Sequence, residues 1–405
     1  MRITDNARKA IAIGSLCSVS YLSVYIARNV LGAVTPQMIE QGYSESYIGL
    51  ISSIYFVTYA LGQVINGAIG DRVKAKFMIC LGLLGAGITN VLFSFAVGNE
   101  IAAMAAYGAT GYFLSMIYGS MTKVVAENTE FPYTTRCSLG YTFASFVGSP
   151  VAGLFAAAFV WQSVFALSSA ILTMMAIVGF ICFTALERNG IIKYGKYKSQ
   201  VKGVGNIKVL LKHRIIKFSL ISILTGVVRT SVVFWLPTYI AQHLGFSPKL
   251  AANFFTIATL IISASAFVSI FTYEKLGHNM DKTILLMFSV SATMFLLTYA
   301  IRLPVLNVVC IVLAIMGANG AASMLWSRYC PSLRDTGWVA SATGFLDCLS
   351  YLSAAAANLI FANAVTSIGW GNLILVWFGL MVSGVAVALP YKRKTECSGT
   401  IKSAD

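Results

Sequence analysis

The chain has 405 residues, of which 58% are hydrophobic and only 11% charged, and its mean hydropathy is +0.78. A soluble protein of this length needs a charged surface, so the composition excludes one and indicates a polytopic membrane protein. The formal charge of +15 does not mark a nucleic-acid partner, because the basic residues are sorted by loop.

Apolar runs predict twelve membrane helices at about 11–38, 46–69, 76–97, 101–123, 137–158, 162–184, 215–241, 250–273, 283–301, 304–327, 338–361 and 370–390. The first is too long for a cleaved signal peptide, and eleven more follow it. With the N-terminus in the cytoplasm, only Lys249 and Arg302 fall outside and Arg28 and Arg229 within the bilayer. The other lysines and arginines lie on or beside the cytoplasmic face, so the chain reads as a multi-pass plasma (inner) membrane protein with both termini cytoplasmic.

Span 1 carries Tyr21, Tyr25 and Arg28, whose spacings of four and three put them on one helix face. An arginine inside a span costs ~2.5–3.5 kcal/mol on insertion scales and marks a functional-site candidate. Span 2 ends in Gly67-Ala-Ile-Gly70-Asp71-Arg72-Val-Lys74-Ala-Lys76, where an acid at a helix end can latch one conformation. Gly82, Gly85 and Gly87 in span 3 predict close helix packing. Lys123 and Glu127, four apart at the inner end of span 4, read as a surface pair. Span 5 contains Gly148-Ser-Pro150-Val-Ala-Gly153, and Trp161 opens span 6 as Trp370 opens span 12.

The connector 185–214 is strongly basic, with Glu187 its one acid, as expected of a solvated cytoplasmic segment attracted to anionic lipid. Within it, Val204 to Arg214 could form a short interfacial helix. Beyond it the first half returns. Arg28 and Pro36 match Arg229 and Pro237 at one offset, as do Ile39 and Gln41 with Ile240 and Gln242. Gly42-Tyr43-Ser44 matches Gly245-Phe246-Ser247 two residues further on. The expected architecture is therefore all-α: two parallel six-helix repeats, 1–184 and 215–405, joined by 185–214, with a midplane site between them.

In span 7, Ser222, Thr225 and Arg229 form the stripe equivalent to that of span 1. Two guanidiniums near one cavity repel each other unless something neutralises them, and the planar fork of arginine suits an oxyanion. Hydroxyls one turn away could donate the remaining hydrogen bonds. Asp347 in span 11 is the one acid deep in a span, so at least one arginine lacks a fixed partner. Asp347 itself has three readings: a displaceable partner of Arg229, a protonatable coupling group, or a direct contact to substrate. The eight cysteines are scattered without CxxC spacing and the three histidines lie in loops or at span ends, so no disulfide framework, metal site or cofactor is expected. No nucleophile–base constellation suggests an enzyme.

The loop after span 2 resembles the G-x-x-x-D-R-x-G-R-R/K signature of the major facilitator superfamily, with Lys74 where glycine is usual and Ala75 where a basic residue is usual. Within that superfamily, much of the chain resembles the organophosphate:phosphate antiporter family. The resemblance is carried by Tyr21-x3-Tyr25-x2-Arg28, Tyr59-x3-Gln63 with Gly67 and Asp71, Arg229-x5-Trp235-x-Pro-Thr-Tyr239, and Ala340-Ser-Ala-Thr-Gly344-Phe345. It implies a monomeric rocker-switch exchanger of phosphate against a small organophosphate. Arg28 and Arg229 would grip the anion, Tyr21, Tyr25 and Tyr59 would supply cavity hydroxyls, and Asp71 and Arg72 would act in gating. Four positions depart from the pattern: Gln63 stands where a lysine is frequent, Ser145 where one branch has histidine, Gly226 where tyrosine is expected, and Asp347 where residues are small. Two other readings stay open: a proton-coupled carrier of organic anions (carboxylates) using Asp347, and a sugar-phosphate sensor that does not transport.

Overall fold

A computed structural model describes residues 5–70, 73–130, 133–194, 213–333 and 339–389. The first repeat contains α1 (Asp5–Glu40), α2 (Glu45–Gly70), α3 (Ala75–Ala96), α4 (Glu100–Asn128), α5 (Tyr133–Ala158) and α6 (Trp161–Arg188). The second contains α7 (Ile215–Gln242), α8 (Pro248–Lys275), α9 (Met280–Ala300) and α10 (Pro304–Tyr329), then α11 (339–368) and α12 (370–388). The last two form one helical run broken at Gly369, whose φ of 75° and ψ of 167° are non-helical. Twelve membrane helices and no strand are thus found among the described residues, as the apolar runs predict. Asp71, Arg72 and most of the 185–214 connector, including 204–212, lie outside those residues.

The repeated Gly-aromatic-Ser triplet explains how two helix turns are made. Gly42 and Gly245 stop α1 and α7 with φ of 96° and 75°, a left-handed conformation that glycine adopts without steric cost. The serine two residues on then starts the next helix. Ser44 Oγ accepts from Tyr47 N at 3.2 Å, and Ser247 Oγ accepts from Leu250 N at 3.4 Å. The repeated glutamines have one job as well. Trp161 Nε1 donates to Gln41 Oε1 at 2.7 Å, and Trp370 Nε1 donates to Gln242 Oε1 at 3.1 Å. Each repeat therefore staples the end of its first helix to the start of its sixth.

At the end of the bundle that carries the connector, ionic clamps hold each repeat together. Glu187 at the end of α6 pairs with Lys74 at 2.8 Å and Lys76 at 2.5 Å. Asp281 at the start of α9 pairs with Arg214 at 2.8 Å and Lys217 at 3.1 Å. Lys123 donates to the Gly70 carbonyl at 2.6 Å, tying α4 to α2. Glu127, one turn further along α4, is buried and not on an open surface. The glycines of α3 do permit close packing, since a Cβ on Gly82 would lie 2.8 Å from the Phe113 carbonyl of α4.

Among the described residues, the hydrogen bonds between the repeats lie at the opposite end and in the middle. Ser46 bonds Asn363 at 2.8 Å, Asn358 donates to Ser52 at 2.7 Å, and Ser53 donates to the Ala355 carbonyl at 2.7 Å, so α2 and α11 run antiparallel in contact. Gln242 of α7 reaches Glu45 of α2 at 2.7 Å. The α5–α8 pair meets where Thr256 bonds the Pro150 carbonyl at 3.4 Å. Among the described residues, no hydrogen bond joins the repeats on the connector side of Arg28 and Tyr351 except the midlevel contact of Ser263 with the Phe146 carbonyl at 3.4 Å. The bundle is shut at one end and parts toward the other.

Candidate functional site

Arg28 stands where the repeats separate. Its guanidinium lies over four rings, at 4.7 Å from the centroid of Tyr351, 5.2 Å from Tyr25, 5.3 Å from Tyr59 and 5.5 Å from Phe56. Nη1 donates to the Tyr351 hydroxyl at 2.9 Å, which uses one of five guanidinium donors. The rings come from α1, α2 and α11, so residues of both repeats form this enclosure. Aromatic faces attract a cation by ~0.5–2 kcal/mol each, but they carry no net charge. No carboxylate lies within 4.0 Å of Arg28 among the described residues. A half-buried guanidinium in that condition keeps its charge available to an anion.

Helix packing sets this geometry. A Cβ on Gly148 of α5 would run into Tyr25, so the expected glycine/proline stretch lets α5 press the Tyr25 backbone into position. Tyr25 in turn meets Tyr21 edge-on at 4.9 Å, and Tyr21 meets Tyr118 at 5.5 Å and Tyr141 at 6.1 Å. An aromatic wall thus descends from Arg28 on the parting side, and Tyr118 on it is 41% exposed. Tyr59 is buried against Tyr351 at 4.9 Å, and Gln63 is half-buried one turn further along α2.

Arg229 occupies the equivalent place in α7, but in different backbone. Residues Val227–Val232 form a π-helical turn, whereas α1 is regular through Arg28. Such wide turns concentrate at functional sites. Beside it α7 and α11 touch closely: a Cβ on Gly226 would lie 2.5 Å from the Ser350 carbonyl. The tyrosine expected at this position by resemblance has no room there. Ser222 donates to the Leu346 carbonyl at 2.6 Å, and Ser231 to the Ala354 carbonyl at 2.8 Å.

Several sequence expectations are corrected at this point. The Ser222 and Thr225 hydroxyls are not free to serve an anion, because Thr225 donates to the Ile221 carbonyl at 2.7 Å and Ser222 is engaged as above. Ser145 is buried and donates to the Thr142 carbonyl at 2.6 Å. Hydroxyls in a membrane helix are spent on carbonyls of their own helix or of a neighbouring one. Asp347 is half-buried and closes no ion pair within 4.0 Å, so a made salt bridge to Arg229 is not seen among the described residues. Sequence reasoning missed Phe56 and Tyr351 as site residues. The usable signals were Tyr351 one turn from Asp347, and Phe56 three residues before Tyr59 on the same helix face.

Among the described residues no group of three histidine, cysteine or acidic side chains could hold a metal ion. The structure resembles a bacterial homologue of the human lysosomal transporter Spinster, solved in an inward-facing, unoccupied conformation. The TM-score is 0.73 at 14% identity, covering 94% of each chain. In sequence, the chain is 32% identical over 77 residues to the membrane sensor protein UhpC of Escherichia coli K12, a stretch covering 19% of this chain and 18% of that protein. It is 25% identical over 257 residues to the glycerol-3-phosphate transporter of Bacillus subtilis strain 168, covering 57% of each. The matched stretches thus span less than two thirds of either relative. A transporter family and transporter relatives make this a membrane transport protein and not an enzyme. Twelve helices in two repeats, two arginines at equivalent places between them, and a Major Facilitator Superfamily profile matching residues 17–358 agree: the chain belongs to the Major Facilitator Superfamily.

Proposed function

We propose that the protein moves a small organophosphate or related organic anion across the plasma (inner) membrane by alternating access, in exchange for phosphate. Arg28 and Arg229 grip the anion, and Tyr21, Tyr25, Tyr59 and Gln63 line its cavity. The observation that carries this reading is Arg28 itself: a guanidinium enclosed by neutral rings, with no carboxylate partner among the described residues, where the repeats part. The glycerol-3-phosphate transporter relative supports the phosphorylated class of solute. An empty site leaves charge to be desolvated on closure, and a bound anion offsets it, which favours exchange over empty return. The two repeats, 1–184 and 215–405, would rock about the site as units, with both termini and the basic connector in the cytoplasm and the chain acting as a monomer. Asp71 and Arg72 would take part in gating at that face.

The test is uptake of labelled phosphate into proteoliposomes preloaded with phosphate, beside empty ones. Uptake that depends on internal phosphate and disappears in Arg28→Ala and Arg229→Ala is expected. A wild-type protein that moves no phosphate would end the exchange reading. A second reading, proton-coupled carriage of carboxylates, is favoured by Asp347, which closes no ion pair among the described residues and lies one turn from Tyr351; it requires uptake that collapses with an uncoupler. The likeness to a sensor keeps a third in view, ligand binding without flux.

A further inference from the structure

The position of Asp347 bears on which anion the cavity accepts, given the reading of Arg28 and Arg229 as its grip. Helix α11 lies along α7 over several turns, fixed by Ser222 on the Leu346 carbonyl at 2.6 Å, Ser353 on the Ile223 carbonyl at 3.1 Å and Ser231 on the Ala354 carbonyl at 2.8 Å. Gly226 removes the side chain that would hold the two helices apart. On α11, Asp347 and Tyr351 are one turn apart and so share a face. Tyr351 reaches across to Arg28 of the other repeat. Asp347 therefore shares its helix face with the tyrosine that holds the α1 arginine, and it lies on the helix against which Gly226, one turn before the α7 arginine, is packed. Among the described residues neither guanidinium closes on it within 4.0 Å.

We infer that Asp347 sets the charge of the accepted solute: with one carboxylate against two guanidiniums, the site has one net positive charge and takes a singly charged oxyanion in preference to a doubly charged one. Gln63 acts in the same direction, since a neutral amide adds no further cation to α2. An anion with a second negative charge would sit against the Asp347 carboxylate with no cation left over to offset it. A singly charged group, a phosphate diester head or a carboxylate, leaves the site neutral.

The experiment uses the full chain, purified in detergent, and measures binding of two small probes by intrinsic tryptophan fluorescence or thermal stabilisation. Methyl phosphate is doubly charged at about pH 8, above the second phosphate ionisation near 6; dimethyl phosphate is singly charged. The readout is the ratio of the two affinities, so a difference in probe size cancels between variants. Asp347→Asn and Asp347→Ser are expected to shift that ratio toward methyl phosphate by about tenfold or more, the effect of one charge removed from a partly buried site. Asp347→Glu keeps the wild-type preference. A ratio unchanged in both neutral variants overturns the proposal, because the carboxyl would then carry no charge that the ligand feels. Wild type that binds neither probe, or binding left intact in Arg28→Ala and Arg229→Ala, overturns the anion grip itself, and the proposal falls with it.

Discussion

Arg28 shows how a half-buried cation can be held without being neutralised. Its rings supply attraction and exclude competing carboxylates, and its bond to Tyr351 fixes the plane of the fork. Lysine would keep the charge and lose the flat stacking surface and the paired donors. Arg28→Lys should therefore lower anion uptake in proteoliposomes at least about tenfold at limiting substrate. Tyr351→Phe keeps the ring and removes one hydrogen bond, a loss of ~0.5–1.5 kcal/mol. Saturation curves should show this as a weaker apparent affinity of a few-fold with maximal flux preserved. An unchanged curve for Tyr351→Phe would mean that Tyr351 acts through packing alone.

At the scale of helices, small residues decide which faces meet. Gly226 is the clearest example, because its missing side chain is the space that the Ser350 backbone fills. Gly226→Ala should separate α7 from α11 and strain the adjoining π turn, at ~1–3 kcal/mol for overpacking. A lower thermal midpoint in detergent, together with weakened anion binding, is the expected result. An unchanged midpoint would show that α11 shifts without cost. The helix-end staples are less demanding, since each rests on one indole bond and tolerates rearrangement at the membrane surface. Legibility differed at this scale too: the glycine spacings announced close packing, but the partner surfaces were not named in the chain. Gly148 against Tyr25 is a case where the glycine was noticed and its purpose was not.

For the whole molecule, the distribution of contacts between repeats defines the state that is seen. They gather from the α1–α2 end down to Arg28 and thin out toward the connector. If transport needs these contacts to break, holding them closed must stop it. Oxidising a Ser46→Cys, Asn363→Cys pair should arrest phosphate exchange, and a reductant should restore it. The wild-type side chains already meet at 2.8 Å, so the two positions face each other across the repeats. Undiminished flux in the cross-linked protein would contradict an opening at this end.

The sequence by itself determined the number of membrane helices, their division into two like-oriented repeats and the pairing of Arg28 with Arg229. Each of these rests on a local or periodic property: run length, hydropathy, loop charge or a recurring offset. The Gly-aromatic-Ser triplet belongs with them, since a left-handed stop followed by a serine cap is written in consecutive residues. Tertiary structure alone decided that Phe56 and Tyr351 complete the enclosure of Arg28, and that Ser145, Ser222 and Thr225 spend their hydroxyls on backbone carbonyls. It alone left Asp347 without a closed ion pair among the described residues, and widened the helix at Arg229. The reason is physical. In a bilayer every helix satisfies its own backbone and is apolar on most sides, so periodicity locates the helix but does not say which face its neighbour covers.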